Sequence, residues 1–379
     1  MKNKLIFPLL SITCLCLTSC GEVIHYASNL DKYVFTMDYH EDFNILQLSD
    51  IHWSYNTSTM ASKNYLDKIL KEVDSHVKQE QGINAKIDLV ELTGDQFMLA
   101  NAYHVDSFLA YFEEQAVKYG FKYAIIWGNH DNHGIYNPNW LSDKFANTEY
   151  GMYLDLNDDL YGRSNFIINL NEGNSTKWQI ANLDSGASFS ETALSISRDY
   201  DYIRPEQTDW WLKEHALVGE EVPAIAYYHI PQDENAKAWA DHVNGANFKT
   251  KFFKLETFAD NGKEKYASNF IDVAKNHNLK AAFMGHCHNN DWTFMLDGVV
   301  IGLGVKTGEE LYYAHINTNS SDIGVKEGLK STGITENFDL IGGSLVTLRY
   351  ETPTKPAFDL EHLYLNERET SDLVLWVKW

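Results

Sequence analysis

Short apolar runs alternate with segments of helical periodicity along most of the chain. The apolar runs predict strands at 44–49, 87–92, 123–127, 224–228 and 280–284. Between them, apolar residues recur at helical spacing and predict helices over 62–79, 105–118, 205–215 and 270–276. Strands that alternate with helices indicate a mainly parallel sheet covered by helices on both faces.

Two further blocks have the pattern of antiparallel strands. Residues 166–170 and 178–183 are separated by the turn-like stretch NEGNSTK, and the tail contains strand-like runs at 294–301 and 344–350. Extra strands at both edges favour an α/β fold with four layers, α/β/β/α, in which helices flank a sandwich of two mixed sheets. No linker or repeat follows residue 32, so we expect one domain over 33–379.

Each of the five predicted parallel strands ends in residues that bind metals well. These residues are Asp50 and His52, then Asp95, then Asn129, His130 and Asp131, then His229, and finally His286 and His288. Taken singly, each has an ordinary structural explanation as a cap, a turn residue or a satisfied buried imidazole. Five in the same topological position favour a metal site, because open α/β sheets bind ligands at the carboxyl ends of their strands.

The motif GHCH places His286 and His288 on one side of an extended segment and Cys287 on the other. The pair can hold one metal ion or two neighbouring ions, and the spacing alone leaves both possibilities open. Cys287 faces away, so we interpret it as a packing residue. Asp184 in NLDSG is interpreted as a residue that supports a loop or caps a turn.

Composition excludes some classes of function. The chain has 379 residues, 44% of them hydrophobic, which is enough for a large core. Its formal net charge is -22, and no run of Lys and Arg forms a basic patch. A surface of this sign repels phosphate backbones, so we expect no nucleic-acid binding.

The first residues predict export. Lys2 and Lys4 precede an apolar stretch that is too short to span a membrane, as in a secretory signal peptide. Residues 17–20, Leu-Thr-Ser-Cys, resemble the lipobox of bacterial lipoproteins, which implies a signal peptide over 1–19, a lipidated Cys20 and a tether over 20–32. The alternative is an ordinary signal peptide with an incidental cysteine. The resemblance implies an extracytoplasmic protein anchored to a bacterial membrane.

The signal changes the count of cysteines. The lipoprotein resemblance implies that Cys14 and Cys16 leave with the signal peptide and that Cys20 is acylated, so that only Cys287 of the four cysteines remains as a thiol. We therefore expect no structural disulfide within one mature chain.

The motifs DIH (50–52), GD (94–95), GNHD (128–131), the lone His229 and GHCH (285–288) together resemble the calcineurin-like metallophosphoesterase superfamily. The resemblance implies a first metal ion held by Asp50, His52 and His288, and a second held by Asn129, His229 and His286, with Asp95 as the bridge. It further implies hydrolysis of phosphate mono- or diesters by a metal-bridging hydroxide, with His130 as acid or transition-state stabiliser. Manganese, iron and zinc all suit these ligands.

A finer resemblance is to the branch that contains purple acid phosphatase 29 and Dcr2. It rests on LDSG (183–186), Gln207, the pair Trp210–Trp211 and HIP (229–231).

The sequence also departs from better-known branches. After Asp95 it lacks the Asp-Arg pair of the protein phosphatases, which makes a phosphoprotein substrate less expected. Met98 stands where purple acid phosphatases have a metal-binding tyrosine, so we expect a colourless enzyme, and an intense violet band in the iron-loaded protein would contradict that.

Residues that contact the substrate are harder to predict. Arg163, Arg198 and Arg204 lie between the third and fourth motifs, and Arg204 is the preferred candidate for substrate charge, with a solvated loop arginine as the alternative. Asp131 joins His130 and Arg204 among the candidate catalytic residues. His133 is either a second proton carrier or a turn residue.

Three functions compete. The leading one is a metal-dependent hydrolase of small phosphate esters at the cell surface. A second is a catalytically silent binding lipoprotein on the same scaffold, and the intact ligand set speaks against it. A third, a nuclease of the double-strand-repair type, is disfavoured by the export signal and the acidic charge.

Overall fold

The computed structural model describes residues 33–54, 57–131, 137–156, 160–187, 200–245, 249–256, 268–309, 312–366 and 374–379, without the side chains of 57–61. The predicted signal peptide and tether, together with His133 and Arg198, lie outside these ranges. The predicted lipid anchor and domain boundaries therefore stay predictions. Within the described ranges, no helix has the length and apolar character needed to cross a membrane.

The strands of the described residues form two large mixed sheets. In chain order they are β1 (Val34–Asp38), β2 (Phe43–Leu48), β3 (Leu89–Thr93), β4 (Lys122–Ile126), β5 (Gly151–Met152), β6 (Phe166–Glu172), β7 (Ser175–Asn182), β8 (Ala224–Tyr227), β9 (Thr250–Lys254), β10 (Leu279–Met284), β11 (Asn290–Leu296), β12 (Val299–Leu303), β13 (His315–Ile316), β14 (Phe338–Thr352), β15 (Lys355–Leu365) and β16 (Val374–Lys378).

Sheet I has the order β16-β15-β14-β2-β3-β4-β5, with β13 paired to β14. Strands β2 to β5 are parallel, and the long β14–β15 hairpin extends the sheet antiparallel from β2. Sheet II has the order β1-β6-β7-β8-β10-β12-β11-β9. Its central strands β7, β8, β10 and β12 are parallel to one another.

Helices cover the outer faces of the two sheets. They are α1 (Thr57–Gln81), α2 (Ala102–Tyr119), α3 (Pro138–Ala146), α4 (Pro205–Val218), α5 (Asp233–Val243), α6 (Phe270–Ala274), which continues as a 3-10 turn at Lys275–His277, and α7 (Ile323–Thr332). Three apolar clusters separate the layers. One packs α1, α2 and α3 on sheet I, one packs α4 and α6 on sheet II, and one lies between the sheets.

The alternation of side chains in β3 shows how the layers arise. Leu89 faces the interior between the sheets, whereas Val90 and Leu92 face the helices. All three are fully buried, since a parallel strand in the middle of a sandwich has no solvent face. The predicted four-layer α/β/β/α fold is therefore confirmed.

One topological prediction needs correction. The tail beginning near residue 294 was expected to be antiparallel, and β11 and β12 do form an antiparallel hairpin. However, β12 also pairs in parallel with β10, so its carboxyl end lies at the same edge as the predicted metal ligands. Cys287 is buried in the cluster under α4 and α6, as expected of a packing residue.

Candidate metal centre

The carboxyl ends of β2, β3 and β4 in sheet I face those of β8 and β10 in sheet II. This arrangement brings the predicted ligands together in two groups, Asp50 with His52 and His288, and Asp95 with His229 and His286. In each group the potential ligand atoms lie within 4.8 Å of one another, and all six residues are buried.

The first group presents one free carboxylate oxygen and two imidazole nitrogens. Ser49 Oγ (2.5 Å) and the His286 backbone N–H (2.9 Å) both donate to Asp50 Oδ2. Asp50 Oδ1 is left without a hydrogen-bond partner among the described residues and lies 3.3 Å from His288 Nε2. The Nε2 atoms of His52 and His288 are 3.1 Å apart. Three potential metal-ligand atoms, one from each residue of the group, thus converge on one point.

In the second group, a backbone carbonyl orients the histidine that follows β8. His229 Nδ1 donates to Thr93 O over 2.8 Å, which fixes the tautomer and aims Nε2 at the centre. His229 Nε2 is 3.1 Å from Asn129 Oδ1 and 3.3 Å from Asp95 Oδ2. A nitrogen facing two acceptor oxygens at these distances requires a cation between them, either a proton or a metal ion.

Asp95 belongs to the second group and also lies next to the first. Its Oδ2 atom is 3.3 Å from His229 Nε2 in the second group and 3.8 Å from His52 Nε2 in the first. Its Oδ1 atom accepts a hydrogen bond from the His130 backbone N–H over 2.7 Å. This is the placement expected of a carboxylate shared by two metal ions.

Burial and charge set the protonation of the ligands. Burial lowers the pKa of His286 to about 3, and burial together with the Lys306 ammonium lowers the pKa values of His52 and His288, so these imidazoles stay neutral. Burial also lowers the pKa of His229, but the Asp95 carboxylate outweighs it and raises that pKa to about 9. In the absence of metal, His229 is therefore the imidazole that takes up a proton.

The residues fit two metal ions. Asp50 Oδ1 and His286 Nε2 are buried without a hydrogen-bond partner among the described residues, a costly state that a bound cation relieves. Neutral imidazoles with carboxylate and amide oxygens suit manganese, iron and zinc.

The ligand loops have an unusual backbone. Seven non-glycine residues in the described ranges have positive φ, and four of them are predicted ligands, namely Asp50 (53°), His52 (50°), Asp95 (53°) and His286 (75°). Positive φ is uncommon outside glycine, although aspartate and histidine adopt it more readily than most residues, and such positions concentrate at functional sites. The left-handed backbone at these four positions turns the ligand side chains towards the centre.

Glycines let the ligand loops approach each other. A Cβ on Gly94, whose φ is +91°, would lie 2.4 Å from the His229 ring, and a Cβ on Gly128 would lie 2.2 Å from the Asp95 nitrogen. The GD and GNHD motifs therefore need glycine for close packing as well as for the turn.

Asp131 connects two of these loops. Its carboxylate accepts the Phe97 N–H (3.1 Å) and the Gly128 N–H (2.8 Å). Burial and the nearby Asp95 raise its pKa well above the usual value. Asp131 thus holds these two loops together, and the catalytic role predicted for it from the sequence stays a prediction.

His130 and Arg204 lie in different surroundings. His130 is partly exposed, with its ring edge-on to His52 at 5.1 Å between centroids, so it borders the first ligand group. The Arg204 guanidinium binds Asp201 (2.8 Å) and stacks on the rings of Tyr161 and Tyr202. A substrate role for Arg204 stays a prediction.

The structure also clarifies Asp184. Its carboxylate accepts the backbone N–H groups of Arg163 (2.6 Å) and Gly186 (2.8 Å), as expected of a loop-supporting residue.

Three residues at the centre were missed by the sequence analysis. Lys306 is buried and donates from Nζ to Asp50 O over 2.8 Å. The Tyr200 ring packs against the His286 ring, with 4.2 Å between their centroids. The Tyr312 ring packs against the His288 ring, with 4.9 Å between their centroids. Lys306 follows β12, so recognising that strand as parallel to β10 would have pointed to it.

The model of the calcineurin-like phosphoesterase family matches residues 43–290, about two thirds of the chain and the stretch that carries all the predicted ligands. The chain belongs to this family. It is accordingly a hydrolase of phosphoric esters, and its two ligand groups correspond to the two-metal centre of such enzymes.

Three relatives show the same branch that the sequence predicts. The chain is 24% identical over 302 residues to probable inactive purple acid phosphatase 28 of Arabidopsis thaliana, with 71% of each chain covered. It is 25% identical over 338 residues to probable inactive purple acid phosphatase 29 of the same plant, with 80% of each covered. It is 25% identical to phosphatase DCR2 of Saccharomyces cerevisiae over 66% of this chain but only 44% of the yeast protein.

Among solved structures, a dimetal phosphatase from Danio rerio aligns with 90% of this chain and all of its own, with 11% identity and a TM-score of 0.49.

Proposed function

We propose that this calcineurin-like phosphoesterase hydrolyses small phosphate mono- or diesters at the paired metal site. The observation that carries the proposal is the position of Asp95 Oδ2, which belongs to the second buried ligand group and also lies 3.8 Å from His52 Nε2 of the first. In this proposal Asp50, His52 and His288 would hold the first ion, Asn129, His229 and His286 would hold the second, and Asp95 would be shared by both.

The protein's own groups prepare the reaction. Two bound cations supply Lewis acidity and a nucleophile at neutral pH. The His229–Thr93 hydrogen bond and the donors to Asp50 Oδ2 fix the ligand orientations before substrate arrives. His130, partly exposed beside the first group, delivers a proton to the leaving oxygen of the ester.

The arginines Arg163 and Arg204 bind other side chains of the protein, which limits their part in binding the phosphate of a substrate. Arg163 Nη1 binds Asp155 (3.0 Å) and Asn139 (2.8 Å), and Arg204 binds Asp201. Among the described residues, His130 is then the group best placed to recognise phosphate charge beside the metal ions. This arrangement is compatible with monoesters and with the singly charged diesters.

A silent binding protein is the second candidate, favoured by the word inactive in the names of both plant relatives. The ligand set of this chain speaks against it, since all seven ligand residues and His130 are present and six of them form the two buried groups.

The test is hydrolysis of p-nitrophenyl phosphate and bis-p-nitrophenyl phosphate by residues 20–379, loaded in turn with manganese, iron and zinc. We expect activity with at least one metal, loss of activity in Asp95→Asn, and retention in Asp297→Asn, whose side chain is exposed on a hairpin turn. A fully loaded protein that hydrolyses neither ester would favour the binding protein.

We propose also that Cys20 carries a lipid that anchors the enzyme outside the cytoplasm of a bacterial cell. The support is the signal-like stretch ending in Leu-Thr-Ser-Cys. Expressed in bacteria, the wild-type chain should partition into the detergent phase and label with palmitate, whereas Cys20→Ala should not. Equal labelling of both proteins would reject the anchor.

A further inference from the structure

A polar layer lies between the two sheets, directly beneath the metal centre. Gln47 of β2 and Glu91 of β3 are register partners in sheet I, and Asn182 of β7 and Tyr227 of β8 are register partners in sheet II. All four alternate with residues that face the helices, so they point between the sheets. We call these four residues the interior quartet.

The quartet is buried, and most of its polar atoms lack a hydrogen-bond partner among the described residues. Its members are at most 1% exposed. Six of its polar atoms make no hydrogen bond with any described residue, namely Gln47 Oε1, Glu91 Oε1 and Oε2, Asn182 Oδ1 and Nδ2, and Tyr227 Oη. Buried polar atoms are rarely left unsatisfied, and six in one place indicate a bound ligand or ordered water.

The two halves of the quartet face each other across the sandwich. Burial raises the pKa of Glu91 well above its usual value, and the nearby Asn182 amide opposes this shift only in part, so the carboxylate form needs a bound positive charge. Burial, together with the Glu91 charge, raises the pKa of the Tyr227 hydroxyl, which places the two groups near each other. No cationic side chain of the described residues is among the groups that act on Glu91. Glu91 is thus a buried carboxyl group without a protein counter-charge.

The chemistry of the quartet selects the ligand. Five of the six unpartnered atoms are oxygens, from a carboxylate, two amides and a phenol, and oxygen ligands of this kind suit hard cations. The only ionisable carboxyl is Glu91, so one positive charge neutralises the site. A divalent ion would leave an uncompensated charge in the interior, close to two further cations.

We propose that the interior quartet binds a single monovalent alkali cation, sodium or potassium, through Glu91, Gln47, Asn182 and Tyr227. The site is separate from the two-metal centre but linked to it. Gln47 Nε2 donates to Thr93 Oγ1 (3.0 Å), and Thr93 O accepts from His229 Nδ1. The bound cation therefore stabilises the Gln47–Thr93–His229 hydrogen bonds that orient the second ligand group.

The experiment compares thermal unfolding of the metal-free protein in sodium, potassium and choline chloride at equal ionic strength. We expect a Tm several degrees higher in one alkali salt than in choline chloride, rising with salt concentration, because the cation binds only the folded state. Glu91→Gln, which keeps the shape but removes the charge, should lose this dependence. Glu113→Gln, which changes a partly buried glutamate that binds Tyr123, should keep it.

A second measurement does not depend on a variant. Crystals of the wild-type protein soaked in thallium(I) or rubidium should give an anomalous peak enclosed by the quartet. The proposal is overturned if no peak appears there and wild type unfolds alike in all three salts. Glu91 would then be a protonated acid surrounded by ordered water. Activity plays no part in either measurement, so the outcome is independent of the proposed phosphoesterase function.

Discussion

At the scale of single residues, the centre depends on glycines that leave room for ligand side chains. Gly94 has φ +91° and a Cβ there would collide with the His229 ring, whereas Gly82 has φ +110° and open space around it. The two positions therefore separate backbone strain from steric conflict.

We predict that Gly94→Ala displaces His229 and loses one of the two metal ions. Gly82→Ala should lower the free energy of unfolding by about 1–2 kcal/mol through left-handed strain alone and keep both ions. Metal content by plasma mass spectrometry and unfolding in urea measure the two effects. Equal metal content in both variants would show that the close approach of Gly94 to His229 is unimportant.

His130 offers a test of proton delivery. We predict that His130→Asn slows hydrolysis of alkyl phosphate esters by about 10²–10⁴-fold, because their leaving groups need a proton. Hydrolysis of p-nitrophenyl esters should fall less, since p-nitrophenolate leaves unprotonated. An equal loss for both classes of ester would assign His130 to transition-state stabilisation without proton transfer.

The candidate ligands could be predicted because each follows a recognisable strand, and the groups that hold them in place could not. Asp131 was expected to be catalytic, yet it joins the loops that follow β3 and β4 through Phe97 N and Gly128 N. Lys306 and the tyrosines over His286 and His288 come from segments without a motif. Nothing in the spacing of a sequence shows which side chain will lie across a ligand.

At the scale of elements, the segment after β12 holds the first ligand loop. Thr307 N donates to Ser49 O (2.8 Å), Gly308 N donates to Asp50 O (3.2 Å), and Thr307 Oγ1 accepts from Ser49 N (3.0 Å). Together with the hydrogen bond from Lys306 to Asp50 O, these bonds stabilise the turn at 50–52, in which Asp50 and His52 have positive φ.

We predict that Gly308→Ala weakens binding of one ion by displacing this loop, because its Cβ would lie 1.9 Å from the Ile51 carbonyl oxygen, a backbone atom that cannot move aside. Gly298→Ala, in the open turn before β12, should carry more backbone strain but leave metal affinity unchanged. Titration calorimetry with manganese compares the two variants. Two unaltered binding steps in Gly308→Ala would contradict the role of this segment.

Long elements with clear periodicity were predicted well, and short or edge elements were not. The apolar spacing of Leu66, Ile69, Leu70 and Val73 identified α1, although the helix begins at Thr57 and not at 62. The short α3 and α7 escaped detection, because nine or ten residues at a surface carry too little pattern. The parallel pairing of β12 with β10 depends on tertiary contact and is invisible in the local sequence.

At the scale of the whole molecule, burial of acidic groups gives stability a pH dependence. Burial raises the pKa of Glu234, at the start of α5, to about 8 from a usual value near 4.5. Between these values the folded state holds a proton that the unfolded state has lost, so stability falls as pH rises.

We predict that Glu234→Gln makes the decline of unfolding free energy between pH 4.5 and 8 shallower by up to about 1.4 kcal/mol per pH unit. Glu206→Gln, an exposed change in the first turn of α4, should leave the slope as in wild type. Urea unfolding across this pH range measures it. A slope unchanged in Glu234→Gln would mean that Glu234 is ionised in the folded protein.

The layered architecture followed from alternating strands and helices, but the assembly of the centre from two sheets did not. The sequence pattern is compatible with five strand ends at one sheet edge, whereas β2, β3 and β4 belong to sheet I and β8 and β10 to sheet II. The sandwich brings these edges together because apolar residues such as Ile45 and Ile225 pack between the sheets. The packing of one sheet on the other depends on residues spread over the whole core, so no short stretch of sequence predicts it.

Anomalous diffraction from crystals of the manganese-loaded protein tests the central claim most directly. The account predicts two peaks about 3.5–4 Å apart, one bound by Asp50, His52 and His288, the other by Asn129, His229 and His286, with Asp95 touching both. A single peak, or two peaks that do not share Asp95, would contradict it.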